Sequence, residues 1–223
     1  MKVELISYTQ PAMYFAENTT ELVAFCARVS NPGNQSNKET SEKLIRYLIN
    51  HQHWSPLEMV NMCLEIETTR DIARQMLRHR SFSFQEFSQR YADPTKDLSF
   101  VLRQARLQDP KNRQNSVELD GTLGQALIGD EWLSKQKELI AHALEVYEWA
   151  VAKGIAKEQA RAVLPEGNTV SRLYVNGTLR SWLHYIQLRS ANGTQKEHIE
   201  IAKKCAEVIA TVFPMAKEFV EKQ

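Results

Sequence analysis

Val60-Asn61-Met62-Cys63-Leu64-Glu65-Ile66-Glu67-Thr68 alternates apolar and polar side chains at period two, the pattern of a half-buried strand. Residues 71–80 then change period and put Ile72, Ala73, Met76 and Leu77 on one side of a helix. A second strand-like run, Val3-Glu4-Leu5-Ile6-Ser7-Tyr8, precedes this unit, and mostly helical periodicity follows it. That order argues for an α+β fold: a small antiparallel or mixed sheet from the N-terminal part packed with several helices, and long helices in the C-terminal half.

Between the two strands, Thr19-Thr20-Glu21 begins a helix over 20–29 in the manner of a cap, and 38–49 forms another with Leu44, Ile45, Leu48 and Ile49 on one stripe. Residues 81–91 are too polar for core. Residues 93–130 carry Pro94, Pro110, Gly121, Gly124 and Gly129, which suits loops with short elements that could cover a ligand. Helices are expected over 131–152, over 170–188 after the Pro165-Glu166-Gly167 break, and over 195–220, with a short turn near 157–164.

No repeat or Gly/Ser-rich linker divides the chain, so 1–223 is expected to be one domain. Its 223 residues, 43% hydrophobic and 25% charged, suffice for a core and exclude disordered, collagen-like and coiled-coil classes. The net charge of +1 gives no whole-molecule field for polyanions, so any anion must be bound locally. No apolar run approaches the roughly 18 residues of a membrane span, and residues 1–10 lack a basic segment followed by an apolar one. A soluble, cytoplasmic protein with no membrane partner is expected. Cys26, Cys63 and Cys205 form neither a CxxC pair nor a disulfide framework.

Arg70, Arg74 and Arg78 recur every four residues and share a helix face. Arg70 and Arg74 are expected to pair with Glu67 and Asp71 on a solvated surface. Arg78-His79-Arg80 is different, because three cationic or potentially cationic side chains radiate around a helix end and Ser81, Ser83, Ser88 and Arg90 follow at once. Guanidinium forks match phosphate oxygens bidentately, and His79 can hydrogen-bond or stack on a heteroaromatic ring. The cluster suits a phosphate or another planar anion.

Arg78-His79-Arg80, seven residues and then Ser88, with Arg90 and Tyr91 after it, resembles the signature of the flavin-dependent thymidylate synthases. The likeness extends in family order to Ala27-Arg28-Val29-Ser30, His51-Gln52-His53-Trp54-Ser55-Pro56-Leu57-Glu58, Ala160-Arg161-Ala162-Val163-Leu164-Pro165 and Arg180-Ser181-Trp182-Leu183-His184 through Leu188-Arg189. The resemblance implies reductive methylation of dUMP to dTMP, with methylenetetrahydrofolate as one-carbon donor, FAD as cofactor and NADPH as reductant. It implies nucleotide contacts at Gln75, Arg78, Glu86, Phe87, Ser88, Gln89, Arg90, Arg161 and Arg189. It implies flavin contacts at Ser30, Ser55, Glu58, Arg78, His79, Arg80, Gln85, Glu86, Thr178, Arg180 and His184. Arg189 is expected at the uracil edge, Ser88 near the reacting ring as a positioning hydroxyl, and His53 near the flavin and folate approach. A homotetramer with sites at subunit interfaces is also implied. Gln85, Phe87 and Thr178 depart from the residues frequent in the family at those positions.

Blander readings stand beside these. His51 and His53 would share one side of a strand and could begin a metal site, but a third ligand is missing nearby, so no metal is expected. Cys63 is expected to be a small buried hydrophobe, and Trp132, Trp149 and Trp182 core or subunit-interface anchors. Arg103, Arg106, Lys111 and Arg113 fit a solvated loop. A nucleic-acid module using 70–90 and 103–113 is the competing class, opposed by the near-neutral charge and the absence of any known nucleic-acid motif. A degenerate homologue without cofactor is opposed by four polar residues that packing alone would not require.

Overall fold

The computed structural model describes residues 1–12 and 14–220. In chain order the elements are β1 (Lys2–Tyr8), α1 (Thr19–Ala27), α2 (Ser41–Asn50), β2 (Asn61–Thr69), α3 (Arg70–Met76), β3 (Phe82–Glu86), α4 (Pro94–Asp97), β4 (Arg106–Gln108), β5 (Ser116–Glu118), α5 (Leu123–Ala152), α6 (Lys157–Ala160), β6 (Val170–Thr178), α7 (Leu179–Ser190) and α8 (Lys196–Ile209). An α+β fold with a small antiparallel sheet is what forms. Its four strands lie in the order β1-β2-β6-β3, and β4 and β5 make a separate two-stranded ribbon.

The alternation in β2 does what its period requires. Met62, Leu64 and Ile66 are buried, and they pair with Gly177, Val175 and Leu173 of β6 on the same inner face. α7 and α8 pack against each other, α8 also lies against β1, and Trp182, Leu183, Ile186, Ile201, Ala202 and Ile209 complete the core. Each of the leucines, isoleucines and methionines here contributes about 1.5–3 kcal/mol by leaving water. The opposite face of β2 carries Cys63, Glu65 and Glu67, and Arg172 of β6 reaches the Glu67 carboxylate there. Cys63 therefore points away from the core and is only half-buried, contrary to expectation; Cys205 is the fully buried cysteine.

The largest departure from the sequence-based expectation is β6. Residues 170–178 were expected to be helical, yet Val170-Ser171-Arg172-Leu173-Tyr174-Val175-Asn176-Gly177 follows period two and fills the central slot between β2 and β3. The sheet thus takes one of its two central strands from the C-terminal half. Gly177 is obligatory there, because a Cβ at that position would stand 2.3 Å from the Phe82 ring of the neighbouring strand. The switch from strand to helix falls at Thr178, whose hydroxyl accepts from the Ser181 N–H as the N-cap of α7.

Other boundaries shift for local reasons. α3 stops at Met76, and Phe82–Glu86, within the stretch read as too polar for any core element, forms an edge strand. α5 starts at Leu123 and absorbs Gly124 and Gly129. α8 ends at Ile209, and Pro214 opens a separate 3-10 turn, Pro214–Phe219. Trp182 is buried and donates its indole N–H to the Met62 carbonyl at 3.1 Å. Trp132 and Trp149 stay 45% and 57% exposed on α5, so neither anchors the core of this chain. No helix among the described residues is long and apolar enough to cross a membrane.

Candidate active site

The sheet brings chain-distant residues to the C-terminal end of α3. Leu77 and Arg78 complete its last turn, and His79 follows half-buried with Arg78 and Arg80 exposed on either side. Arg189, in the last turn of α7, donates Nε–H to His79 Nε2 at 2.8 Å. His79 must therefore carry its proton on Nδ1. Burial, with the Arg189 charge behind it, pushes the His79 imidazole down to about 4, so it meets Arg189 as a neutral acceptor. The Tyr185 ring stands edge-on to His79, centroids 5.1 Å apart.

A second junction adjoins the first along α7. The 3-10 turn Ser55–Met59 packs on α7, the Arg180 guanidinium hydrogen-bonds the Glu58 carboxylate, and His184 stands edge-on to Trp54 at 4.3 Å. Burial and then the Arg180 charge lower the His184 pKa. Thr178 caps this same helix.

A third group surrounds the end of β3. Glu86 accepts from the Ser171 hydroxyl at 2.8 Å and meets Arg70 at 3.4 Å. Arg70 is thus buried and paired with Glu86, not with Glu67 or Asp71 on a solvated face, while exposed Arg74 pairs with Glu166 at 3.3 Å. The Phe87 N–H continues the sheet by donating to the Arg172 carbonyl. The Ser88 hydroxyl accepts weakly from the Arg90 N–H at 3.4 Å, and the Arg90 side chain meets the Glu158 carboxylate at 3.1 Å. Arg161 donates to the Glu158 backbone carbonyl, which places Arg90 and Arg161 around one residue. Gln89 is buried, and its Nε2 has no hydrogen-bond partner among the described residues. Such a donor costs stability unless something accepts from it.

Arg78, Arg80, Arg161 and Arg189 make no ion pair among the described residues, whereas Arg70, Arg74, Arg90 and Arg180 do. Arg78 and Arg80 flank neutral His79 along the chain and Arg189 bonds it, an arrangement of guanidinium groups suited to an anion, while Arg161 lies beside Glu158. Not every expected residue joins it. Ser30 is exposed just beyond α1, and His53 is exposed with its ring facing Tyr47 and His51; neither contacts His79 or Arg189. His51 and His53 lie beyond the end of α2 rather than on a strand, with ring centroids 6.2 Å apart. No cluster of three metal-ligating side chains occurs among the described residues.

Sequence reasoning missed a polar network behind the site. Arg103 and Arg106, expected on a solvated loop, are largely buried: Arg103 bridges Asp71 at 2.6 Å and Glu197 at 3.1 Å, and Arg106 meets Glu197 at 2.7 Å. Glu197 connects through Gln195 to Gln75 and on to His198 and Tyr185. The one available signal was His198 on the same stripe as Ile201, Ala202 and Cys205, a polar residue on an apolar helix face.

Fold and site together present an α+β protein in which Arg78, Arg80 and Arg189, at the end of α3 and of α7, meet no carboxylate among the described residues. Residues 4–215 match the family described as thymidylate synthase complementing protein. A probable flavin-dependent thymidylate synthase of Paramecium bursaria Chlorella virus 1 is 48% identical over 214 residues, 96% of each chain. A flavin-dependent thymidylate synthase of Synechocystis sp. is 45% identical over 226 residues, covering 99% of this chain and all of that one. Among solved structures, a UMP/dUMP methylase, PolB from Streptomyces cacaoi bound with 5-Br dUMP, superposes with TM-score 0.78 at 26% identity, covering 98% of this chain and 93% of that one. This chain belongs to the thymidylate synthase complementing protein family, the flavin-dependent thymidylate synthases.

Proposed function

We propose that the chain methylates dUMP to dTMP with methylenetetrahydrofolate as one-carbon donor, NADPH as reductant and FAD as cofactor. The observation that carries this reading is neutral His79 bonded by Arg189 and flanked by Arg78 and Arg80, three guanidinium groups that meet no carboxylate among the described residues. A nucleotide monophosphate and a dinucleotide pyrophosphate both demand fixed cations, and these residues are cations with no carboxylate to satisfy them. The donor set fits a flavin: Ser55 and Glu58 lie on the turn packed against α7, His79 and Arg80 between α3 and β3, Gln85 on β3, Thr178 at the end of β6, and Arg180 and His184 on α7, with Ser30 assigned by resemblance alone. Bound there, FAD supplies the hydride and one-electron chemistry that amino-acid side chains lack.

The residues of this chain hold and polarise the nucleotide. Gln75, Arg78, Glu86, Phe87, Ser88, Gln89, Arg90, Arg161 and Arg189 form its binding set. Arg189 spends Nε–H on His79 and keeps its terminal nitrogens for the uracil edge, where it stabilises the negative charge that develops as C5 becomes nucleophilic. The Ser88 hydroxyl has no base bonded to it among the described residues, so it positions the ring rather than attacking it. His53 is assigned to the folate approach by resemblance alone.

One domain over 1–223, assembly as a homotetramer with sites shared between subunits, and a cytoplasmic location belong to the same proposal. The test is an anaerobic assay with dUMP, methylenetetrahydrofolate, FAD and NADPH, with each omitted in turn. Formation of dTMP only in the complete mixture is expected. Formation of dTMP without FAD, or methylation of UMP with none of dUMP, contradicts the reading.

A further inference from the structure

His198 is fully buried in α8, and no role assigned above uses it. Its Nδ1 lies 3.1 Å from Gln75 Oε1, and its Nε2 lies 3.1 Å from the Tyr185 hydroxyl. Gln75 Nε2 donates to Gln195 Oε1 at 2.9 Å, and Gln195 Nε2 donates to Glu197 Oε2 at 2.9 Å.

The direction of every bond in this series follows from its last member. Burial would raise the Glu197 carboxyl, but hydrogen bonds from Arg106, its own N–H and Gln195, with the Arg103 charge, hold it below the usual range. Glu197 is therefore ionised and can only accept. Gln195 must give it an amide N–H and turn its oxygen to Gln75. Gln75 must give Gln195 an amide N–H and turn its oxygen to His198. His198 must carry its proton on Nδ1, and Tyr185 must donate to Nε2. A neutral imidazole has one donor and one acceptor, and this arrangement uses both. Burial, with Arg189 and His79 facing the ring, pushes His198 down to about 3, so the neutral form persists.

We propose that His198 is a positioning residue for nucleotide use: its Nδ1–H holds the Gln75 carboxamide oxygen in the orientation that the Gln195–Glu197 chain sets, so that Gln75 meets the nucleotide with its second amide hydrogen. The inference rests on the reading of Gln75 as a nucleotide contact, and adds what sets that contact's polarity. An unrestrained carboxamide would present oxygen and nitrogen in turn, and the oxygen would repel a phosphate.

Nitrogen-15 NMR of the FAD-loaded protein labelled at histidine reads the tautomer directly. The resonance that disappears in His198→Asn is expected to be a neutral imidazole protonated at Nδ1; protonation at Nε2 overturns the proposal. In kinetics, His198→Leu is expected to raise the KM for dUMP about tenfold, the worth of one hydrogen bond, and to change kcat less than about threefold. His198→Asn, whose side-chain amide replaces the Nδ1 donor, should recover most of the loss. Gln75→Ala should weaken dUMP comparably, and adding His198→Leu to it should do nothing more. Additive effects, or no advantage of Asn over Leu, overturn the proposal. If Gln75→Ala weakens dUMP and His198→Leu does not, the positioning role alone fails. If Gln75→Ala leaves the KM unchanged although the tautomer is as described, the nucleotide reading of Gln75 fails and the role of His198 falls with it. Should His198→Leu not fold, the Asn variant and the tautomer decide.

Discussion

Arg103 and Arg106 are met by carboxylates at close range, Asp71 and Glu197, in a largely buried cluster. Arg78, Arg80, Arg161 and Arg189 meet none among the described residues, and Arg189 lies beside two histidines, His79 and His198, that burial keeps neutral. Both regions are built on arginine, two in the first and four in the second, and their chemistry is opposite. Charge that is balanced locally holds elements together, here the 103–106 segment, α3 and α8. Charge left without a counterion is what an anionic ligand can use.

The widest test of the comparison is acid. Protonating His79 or His198 adds positive charge beside Arg189, with no carboxylate hydrogen-bonded to either ring. Their native values of about 4 and about 3 lie below the ordinary 6.5, so the unfolded chain takes up these protons first. The stability from these groups is therefore complete above pH 6.5 and is lost as pH falls from there through the native values. Urea midpoints at pH 7 and at about 4.5 should fall steeply, and less steeply in His79→Asn. An unchanged midpoint contradicts the account.

The paired region should respond in stability alone. Arg103→Ala strands Asp71 and weakens the hold on Glu197, with an expected loss of about 3 kcal/mol in urea unfolding. The unpaired region should respond in ligand use alone. Arg78→Ala is expected to lower kcat/KM for dUMP by about 30-fold, near 2 kcal/mol, with an unchanged unfolding midpoint. If Arg103→Ala proves as stable as the parent, or Arg78→Ala unfolds early, the division between the regions is wrong.

Two smaller effects sharpen the framework that holds the unpaired region. Gly177→Ala forces the Phe82 ring off its strand neighbour, and a loss of about 2 kcal/mol is expected in thermal unfolding. Thr178→Ala removes the α7 cap at a cost of about 1 kcal/mol, while Thr178→Asn should keep it. Equal stability of the Ala and Asn variants at 178 would mean that the hydroxyl is not acting as a cap.

The fold class was legible because β2 and α3 carry opposite periods side by side, and the inner stripe Ile72, Ala73, Met76 is buried as its spacing requires. β6 was not, since its strand pattern runs without a break into the helical pattern of α7 and Thr178, the residue that ends one and starts the other, is ordinary in both. At the site, Arg78-His79-Arg80 announced itself by density and by its spacing to Ser88. The pairing of Arg70 with Glu86, and of Arg103 with Asp71, was hidden because a salt bridge depends on which strands are neighbours, not on separation along the chain. For the same reason sequence could name Gln75 and could not say what holds it.

The central claim is that the uncompensated arginine region takes the nucleotide beside the flavin, and the flavin visible absorption band reads it directly. The protein would be incubated with FAD, gel-filtered, and titrated with dUMP, in parallel with Arg78→Ala. A retained band that dUMP perturbs saturably in the parent and not in Arg78→Ala is the predicted result. No retained flavin, or the same dUMP response in both proteins, would contradict it.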